Sequence, residues 1–334
     1  MRPFKYVRAS DPNAAAGAVA ANPLARFLAG GTNILDLMKE DVERPNQLVD
    51  LTRLKLNEIK PLAEIRPARG GVSIGALATN TETANHPLIR QNYPLLTQAI
   101  VAGASAQLRN MATNGGNLLQ RTRCQYFYDT AMPCNKREPG TGCGAREGLN
   151  RIHAIFGWSD KCVATYPGDM ANALYALEAV VRVSGAGGRE RTIPIDDFHR
   201  LPGDTPEKDT NLQHGELIVA IELPKSNFAN SSYYLKVRDR ASYAFALVAV
   251  ATAVELDGGT IRQARVVLGG VAHKPWRSRE AEAALAGKSV SEESFRRAAE
   301  VALSGAKPLA HNAYKVELGK RAIVRALMRA GKLA

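Results

Sequence analysis

The sequence has 334 residues, a hydrophobic content of 45% and a formal net charge of +12. Its length allows two or three domains with a large core, and no run of eighteen apolar residues predicts a transmembrane helix. Six Lys and Arg against one Glu in residues 311–334 predict a basic helix that is solvated or docks on an acidic partner, which argues against nucleic-acid binding.

The sequence predicts short strands that alternate with helices in the N-terminal part of the chain. A strand, a glycine turn and an amphipathic helix are predicted in residues 25–40, followed by strands at 47–51 and 70–77 and one helix at 86–104. Residues 121–162 are rich in Arg, Gly, Pro and Cys and have little periodicity, so something must organise them. The remaining predicted features are a helix and strand at 169–183, a strand at 215–224, a domain boundary at 224–232, and strands at 243–256 and 264–272.

Two glycine turns are candidate phosphate sites. "AGGTN" at 29–33 follows a predicted strand, and "TNGGN" at 113–117 is a second turn of the same type. Glycine reaches positive φ easily, and consecutive backbone amides in such a turn form an anion nest. Neither turn matches the Rossmann or P-loop pattern. Each is alternatively an ordinary capped turn, but together they suit a ligand with two phosphates, such as FAD. Asp169 follows Pro167-Gly168 and either caps its helix or contacts that cofactor.

All four cysteines, Cys124, Cys134, Cys143 and Cys162, lie within 39 residues, which indicates a joint role. Structural zinc prefers closely spaced cysteine pairs, which are absent here, and disulfides need an oxidising compartment. A 4Fe–4S cluster tolerates wide loops and is favoured, while four independent buried thiols remain an alternative. Six cations are expected to surround the negative cluster: Arg121, Arg123, Lys136, Arg137, Arg146 and Arg151.

Several motifs together resemble a known family. "RFLAGGTNILDLM", "LRNMATNGGN" and "YPGDMANAL" resemble the FAD-binding medium subunits of the molybdenum hydroxylases, the xanthine dehydrogenase and carbon monoxide dehydrogenase group. The cysteine-rich insertion, "YYLKVRDRASYAFALV" and "GGVAHKPWR" are similar to the FAD subunits of bacterial periplasmic aldehyde oxidoreductases. The resemblance implies an α+β fold with a vanillyl-alcohol-oxidase-type FAD domain of two subdomains at 1–224, a 4Fe–4S insertion at 121–165, and a small α+β C-terminal domain of the carbon monoxide dehydrogenase flavoprotein type at 230–334.

The same resemblance implies the cofactor contacts. The FAD pyrophosphate would be wrapped by the first turn and its flanks, which are Arg26, Phe27, Leu28, Ala29, Gly30, Gly31, Thr32, Asn33 and Ile34. The second turn would contribute Thr113, Gly116 and Asn117. The site would be completed by Asp169 as an acidic contact, Lys236 near the flavin and the strand residue Ile218. The four cysteines correspond to the ligands of the 4Fe–4S cluster. No catalytic residue is expected, because no nucleophile–base set or carboxylate pair stands out and the six histidines are scattered.

The implied function is that of an electron-transfer subunit in a heterotrimer. A partner with a molybdenum cofactor would oxidise an aldehyde to a carboxylic acid, a small 2Fe–2S subunit would relay electrons, and FAD here would pass them to an external acceptor. Two alternatives are the FAD subunit of a 4-hydroxybenzoyl-CoA reductase-like enzyme and a zinc-stapled basic interaction protein without redox activity. The N-terminus lacks an apolar signal core. The resemblance to periplasmic complexes nevertheless implies a periplasmic location, reached as a folded complex on a partner's twin-arginine signal, with the cytoplasm as the alternative.

Overall fold

The computed structural model describes residues 1–66 and 70–333, which form three β-sheets covered by helices. Helices and strands are both plentiful, so the predicted α+β class is confirmed. Ala334, the predicted end of the C-terminal domain, lies outside the described residues. Across the part of the chain that the structure describes, no helix combines the length and the apolar character needed to cross a bilayer.

The first sheet is small and parallel. It consists of β1 (Lys5–Arg8), β2 (Ala25–Leu28) and β3 (Gln47–Asp50) in the order β1-β3-β2, connected through α1 (Pro12–Ala20) and α2 (Ile34–Lys39). Helices can fill these connections because parallel neighbours need a crossover. Asp11 caps α1 by accepting a hydrogen bond of 2.8 Å from the amide of Ala14. The first glycine turn therefore lies between the end of β2 and the start of α2.

The second sheet is antiparallel. It has the order β4-β5-β8-β6-β7 and is built from β4 (Ile59–Pro61), β5 (Gly71–Gly75), β6 (Val180–Ser184), β7 (Glu190–Pro194) and β8 (Leu217–Pro224). Every residue of β8 except Pro224 is buried, as expected for a central strand that is covered on both faces. The second sheet thereby contributes buried strand residues to the core of this subdomain.

Five helices lie between β5 and the insertion. They are α3 (Asn80–Asn85), α4 (Pro87–Asn92), α5 (Pro94–Ala102), α6 (Ala106–Met111) and α7 (Asn114–Leu118). The single helix predicted at 86–104 is wrong, because the chain breaks at Tyr93, whose φ of −137° and ψ of 51° are not helical. The cause is Pro94, which disfavours helical geometry in the residue before it.

The insertion is almost without regular structure, as its composition predicts. It contains only two one-turn helices, α8 (Gln125–Tyr128) and α9 (Gly144–Glu147), and the chain then enters α10 (Asp169–Ala176). Its small core contains Cys124, Cys134 and Cys162 together with Phe127 and Val163. The thiols are thus central to the packing of this segment.

The C-terminal sheet is shared between two cores. Its order is β12-β11-β10-β9, from β9 (Ser232–Val237), β10 (Val248–Asp257), β11 (Thr260–Gly269) and β12 (Trp276–Arg277). Along β10, Val248 and Val250 face the C-terminal helices, whereas Ala249 and Ala251 join the core of the preceding subdomain. This alternation follows from the two-residue period of a strand. The helices are α11 (Arg279–Leu285), α12 (Glu292–Leu303) and α13 (Tyr314–Ala330).

Candidate functional site

The two glycine turns lie against each other. A Cβ atom on Gly30 would stand 1.8 Å from the carbonyl oxygen of Met111, two residues before Thr113, so only glycine permits this approach. Gly31 has a φ of +76°, the left-handed region that glycine adopts at little cost. The sequence motif is therefore explained by a close backbone contact and a left-handed turn.

The first turn presents amides without internal partners. Among the described residues, the backbone N–H groups of Gly30, Gly31, Thr32 and Asn33 donate no hydrogen bond to another backbone group. Asn33 occupies the cap position of α2 but makes no side-chain cap bond. Its Oδ1 instead accepts a hydrogen bond of 3.0 Å from the amide of Arg121, the first residue of the insertion. The turn is thus open to an anion and tied to the insertion.

The second turn is held by its own threonine. Thr113 Oγ1 accepts a hydrogen bond of 3.3 Å from the amide of Gly116, and Thr113 caps α7. Asn117 donates 2.8 Å to Asn80, which in turn donates 3.0 Å to Asn114. This chain of side-chain amides, in which Asn80 and Asn114 are buried, was not revealed by the sequence patterns and fixes the turn against α3.

Both turns line two adjoining cavities. The larger has a volume of about 670 Å³ and the smaller about 270 Å³, and Thr32, Asn33 and Gly116 line both. A volume in this range suits a cofactor of nucleotide size. The two cavities therefore form an elongated cleft with the glycine turns at its middle.

The structure brings nearly all the predicted FAD contacts to this cleft. Asn117, Asp169 and Lys236 line only the larger cavity. Eight further residues line only the smaller cavity: Arg26, Phe27, Ala29, Gly30, Gly31, Ile34, Thr113 and Ile218. Leu28 belongs to β2 and lines neither cavity.

A buried ion pair closes one wall of the larger cavity. Lys236 Nζ donates to Asp169 Oδ2 at 2.7 Å and to the carbonyl of Ala102 at 3.2 Å. Tyr234 donates its hydroxyl to Asp169 Oδ1 at 2.7 Å. Lys236 and Tyr234 are two residues apart in β9 and so point to the same face of the sheet.

Of the two roles predicted for Asp169, the one in which it caps its helix is wrong. The cap position of α10 is Gly168, and Asp169 is the first helical residue. Its carboxylate bonds Tyr234 and Lys236 instead of the helix amides. Tyr234 is a member of this group that the sequence reasoning missed.

All four cysteines line one small cavity within the insertion. All four are free thiols, so the structure contains none of the disulfides that were one alternative for them. The backbones of Cys134 and Cys143 lie side by side in an isolated antiparallel β-bridge. Burial raises the pKa of Cys124 to about 12 and that of Cys162 to about 11. In residues 1–66 and 70–333, no three His, Cys, Asp or Glu side chains form a group that could hold a single metal ion.

Only one of the six expected cations lines the cysteine cavity. Lys136 lines it together with Lys161, and the fully buried Lys136 ammonium also bonds Asp209 and the carbonyl of Pro206. The other five cations do not line it and make contacts elsewhere. Arg121 pairs with Glu43 and Asp209, Arg123 with Asp36, Arg146 with Asp160 and Arg151 with Asp239, while Arg137 donates to the carbonyls of Tyr126 and Phe127.

Comparison with known proteins covers the whole chain. The profile of the FAD binding domain in molybdopterin dehydrogenase matches residues 2–226, and that of the CO dehydrogenase flavoprotein C-terminal domain matches residues 233–330. The aldehyde oxidoreductase FAD-binding subunit PaoB of Escherichia coli K12 is 48% identical, over 99% of both chains. The glyceraldehyde dehydrogenase medium chain of Sulfolobus acidocaldarius is 29% identical over 87% of this chain and 83% of its own.

Solved structures agree on the fold. Quinoline 2-oxidoreductase from Pseudomonas putida 86 matches 100% of this chain and 99% of its own, with a TM-score of 0.76 and 24% identity. Carbon monoxide dehydrogenase from Hydrogenophaga pseudoflava matches 98% and 97% of the two chains, with a TM-score of 0.75 and 25% identity. The predicted fold, a two-subdomain FAD domain with a small flavoprotein C-terminal domain, is confirmed. The chain belongs to the FAD-binding medium subunits of the molybdenum hydroxylase family and is an oxidoreductase subunit.

Proposed function

We propose that this chain is the electron-transfer subunit of a molybdenum-dependent aldehyde oxidoreductase that converts aldehydes to carboxylic acids. It would work in a heterotrimer with a molybdenum-cofactor large subunit and a 2Fe–2S small subunit, and its FAD would pass electrons to an external acceptor. The observation that carries the proposal is the 48% identity, over 99% of both chains, to an aldehyde oxidoreductase FAD-binding subunit. A 4-hydroxybenzoyl-CoA reductase-like activity is the alternative within the same family.

The cleft fits FAD. The diphosphate would lie at Thr32, Asn33 and Gly116, where the cavities meet, with the two halves of the cofactor extending to either side. The unpartnered amides of the first turn and the buried Asn33 Nδ2, which has no partner among the described residues, are donors for its phosphate oxygens. Bound FAD supplies the redox chemistry, taking up electrons and passing them on. Asp169 holds the Lys236 ammonium at the wall of the larger cavity.

The insertion fits a 4Fe–4S cluster. Its four thiols share one cavity, and thiolate is the ligand type that such clusters use. Burial raises the pKa of Cys124 and of Cys162, so bound iron would replace the protons of these two thiols. The zinc-stapled alternative would use the same thiols, and metal analysis distinguishes it from the cluster.

Cofactor analysis of the purified complex tests this proposal. Wild-type complex should contain FAD and, beyond the partners' own centres, about four further iron and sulfide ions. Cys134→Ser should remove that additional iron and keep FAD, whereas Thr130→Ala, at an exposed position of the same insertion, should keep both. Zinc in place of iron, or unchanged iron in C134S, would refute the cluster assignment. Absence of flavin would refute the subunit assignment as a whole.

The substrate and the acceptor need a separate assay. The complex should oxidise aromatic or aliphatic aldehydes when supplied with oxygen, a quinone, a ferredoxin-like protein or NAD in parallel reactions. Activity with 4-hydroxybenzoyl-CoA and none with aldehydes would favour the alternative. We also propose a periplasmic location, reached on a partner's twin-arginine signal, with the cytoplasm as the alternative; fractionation of cells that express the complex tests it.

A further inference from the structure

One histidine in the insertion contacts a cysteine sulfur. His153 is 1% exposed, and its Nε2 lies 3.1 Å from the Sγ of Cys124. Its other nitrogen, Nδ1, is buried and has no partner among the described residues. The contact with Cys124 is therefore the polar interaction that this imidazole makes within the described chain.

The direction of this hydrogen bond follows from the ligand state of the sulfur. A thiolate bound to iron has no proton and can only accept. Imidazole carries a proton on Nε2 when it is protonated and also in one of its two neutral tautomers. The other tautomer would point an Nε2 lone pair at the sulfur and leave an N–H on Nδ1 without a partner. His153 is therefore the donor and Cys124 the acceptor.

The C-terminal domain holds His153 in place. Asn312 donates hydrogen bonds of 3.1 Å to the carbonyls of His153 and Ala154. Lys315, at the start of α13, donates 2.9 Å to Ile152, 3.0 Å to His153 and 2.8 Å to Gly270, all through carbonyl oxygens. Asn312 and Lys315 are fully buried. These bonds fix the backbone from which the imidazole of His153 projects.

His153 also lies where the two proposed cofactor sites adjoin. Cys124 lines both the cysteine cavity and the larger cavity of the FAD cleft, and His153 lines the larger cavity beside it. Cys134, Cys143 and Cys162 line only the cysteine cavity. Cys124 is thus the thiol on the flavin side of the insertion, and it is the one that carries the hydrogen bond.

We propose that His153 is a positioning residue that donates its Nε2–H to the Cys124 sulfur and raises the reduction potential of the 4Fe–4S cluster. This inference rests on the cluster in the proposed function. Reduction adds negative charge to the cluster and its sulfur ligands, so a donor to a ligand sulfur stabilises the reduced state more than the oxidised one. Removing the donor should lower the potential without removing a ligand.

Redox titration of the purified holo-complex, followed by electron paramagnetic resonance of this cluster, tests the proposal. His153→Leu should lower the equilibrium constant for reduction about tenfold, which is about 59 mV for a one-electron couple. His153→Gln places an amide N–H near the position of Nε2 and should restore most of the wild-type potential. His311→Leu removes an exposed histidine of the same region and should leave the potential unchanged.

A measurement on unmutated protein covers the case in which H153L loses the cluster. Complex labelled with ¹⁵N-histidine should show a nitrogen hyperfine coupling at the reduced cluster. Absence of that coupling, or a wild-type potential in an H153L complex that retains its iron, would overturn the role of His153 alone. An H153Q shift as large as that of H153L would also overturn it. Wild-type complex without the additional iron would instead overturn the proposed cluster, a result that iron and sulfide analysis identifies separately.

Discussion

The buried pair between Lys236 and Asp169 should stabilise the wall of the FAD cleft, and Lys236→Met tests this. The lysine is 4% and the aspartate 8% exposed, and their atoms are 2.7 Å apart. Without the ammonium, the buried carboxylate keeps, within residues 1–66 and 70–333, only the hydroxyl of Tyr234 as a hydrogen-bond partner. Leaving one charge of a buried pair uncompensated costs about 3–5 kcal/mol, so we expect the free energy of unfolding to fall by that amount.

A double-mutant cycle separates the ion pair from the loss of either side chain. Asp169→Asn retains an acceptor for Tyr234 while removing the charge. The double variant K236M/D169N should therefore be more stable than the sum of the single effects predicts, with a coupling energy of about 2 kcal/mol. Urea titration of the flavin-loaded complex, followed by the rise of flavin fluorescence on release, gives these free energies.

The matched control is the exposed pair of Arg321 and Glu317 on α13. Its atoms also lie 2.7 Å apart, but the side chains are 78% and 60% exposed. Arg321→Met should leave the urea midpoint unchanged, because water screens such pairs. If K236M unfolds at the wild-type urea concentration, or if the two single effects simply add, then the pair does not stabilise the cleft and the reasoning is wrong.

Two further predictions follow from the glycine turns and from α13. Gly30→Ala should weaken flavin affinity about tenfold to a hundredfold in a fluorescence titration, because the added methyl would meet the carbonyl of Met111 and such overpacking costs about 1–3 kcal/mol. The control is Gly17→Ala, where a Cβ meets nothing within 4 Å, and this variant should bind flavin like the wild type. Burial lowers the pKa of Lys315 to about 7, so between that value and the unfolded value of 10.5 the unfolded chain binds more protons and stability rises with pH. From pH 7 to pH 9, urea unfolding should show wild type gaining about 2 kcal/mol relative to Lys315→Met, and parallel pH profiles of the two proteins would contradict this.

Local sequence patterns predicted those parts of the site whose conformation depends on residues adjacent in the sequence. The turn at Gly30 and Gly31 and the cap at Thr113 are readable because φ and close backbone approach select residue types directly. The break before Pro94 was also present in the sequence, but the strong apolar periodicity on both sides obscured it. The clustering of four cysteines in one segment likewise indicated a joint role, and in the structure all four line one cavity.

Contacts between segments that are far apart in the sequence could not be predicted from such patterns. Asp169 resembles a helix cap locally, yet its partner Lys236 lies 67 residues further along the chain. The arginines of the insertion looked like neighbours of the cysteines, but Arg121 and Arg123 pair with carboxylates from other segments. Which carboxylate comes near is decided by packing of whole sheets, and no spacing rule within the insertion encodes it.

The bond between Asn33 Oδ1 and the amide of Arg121 joins the first glycine turn to the start of the cysteine-rich segment. Within our proposal, Asn33 belongs to the turn that would receive the diphosphate, and Arg121 is the residue at which the cysteine loop leaves the fold. Binding of flavin or of the cluster would therefore order an anchor that both sites share, so each group would help to prepare the site of the other, whichever is inserted first.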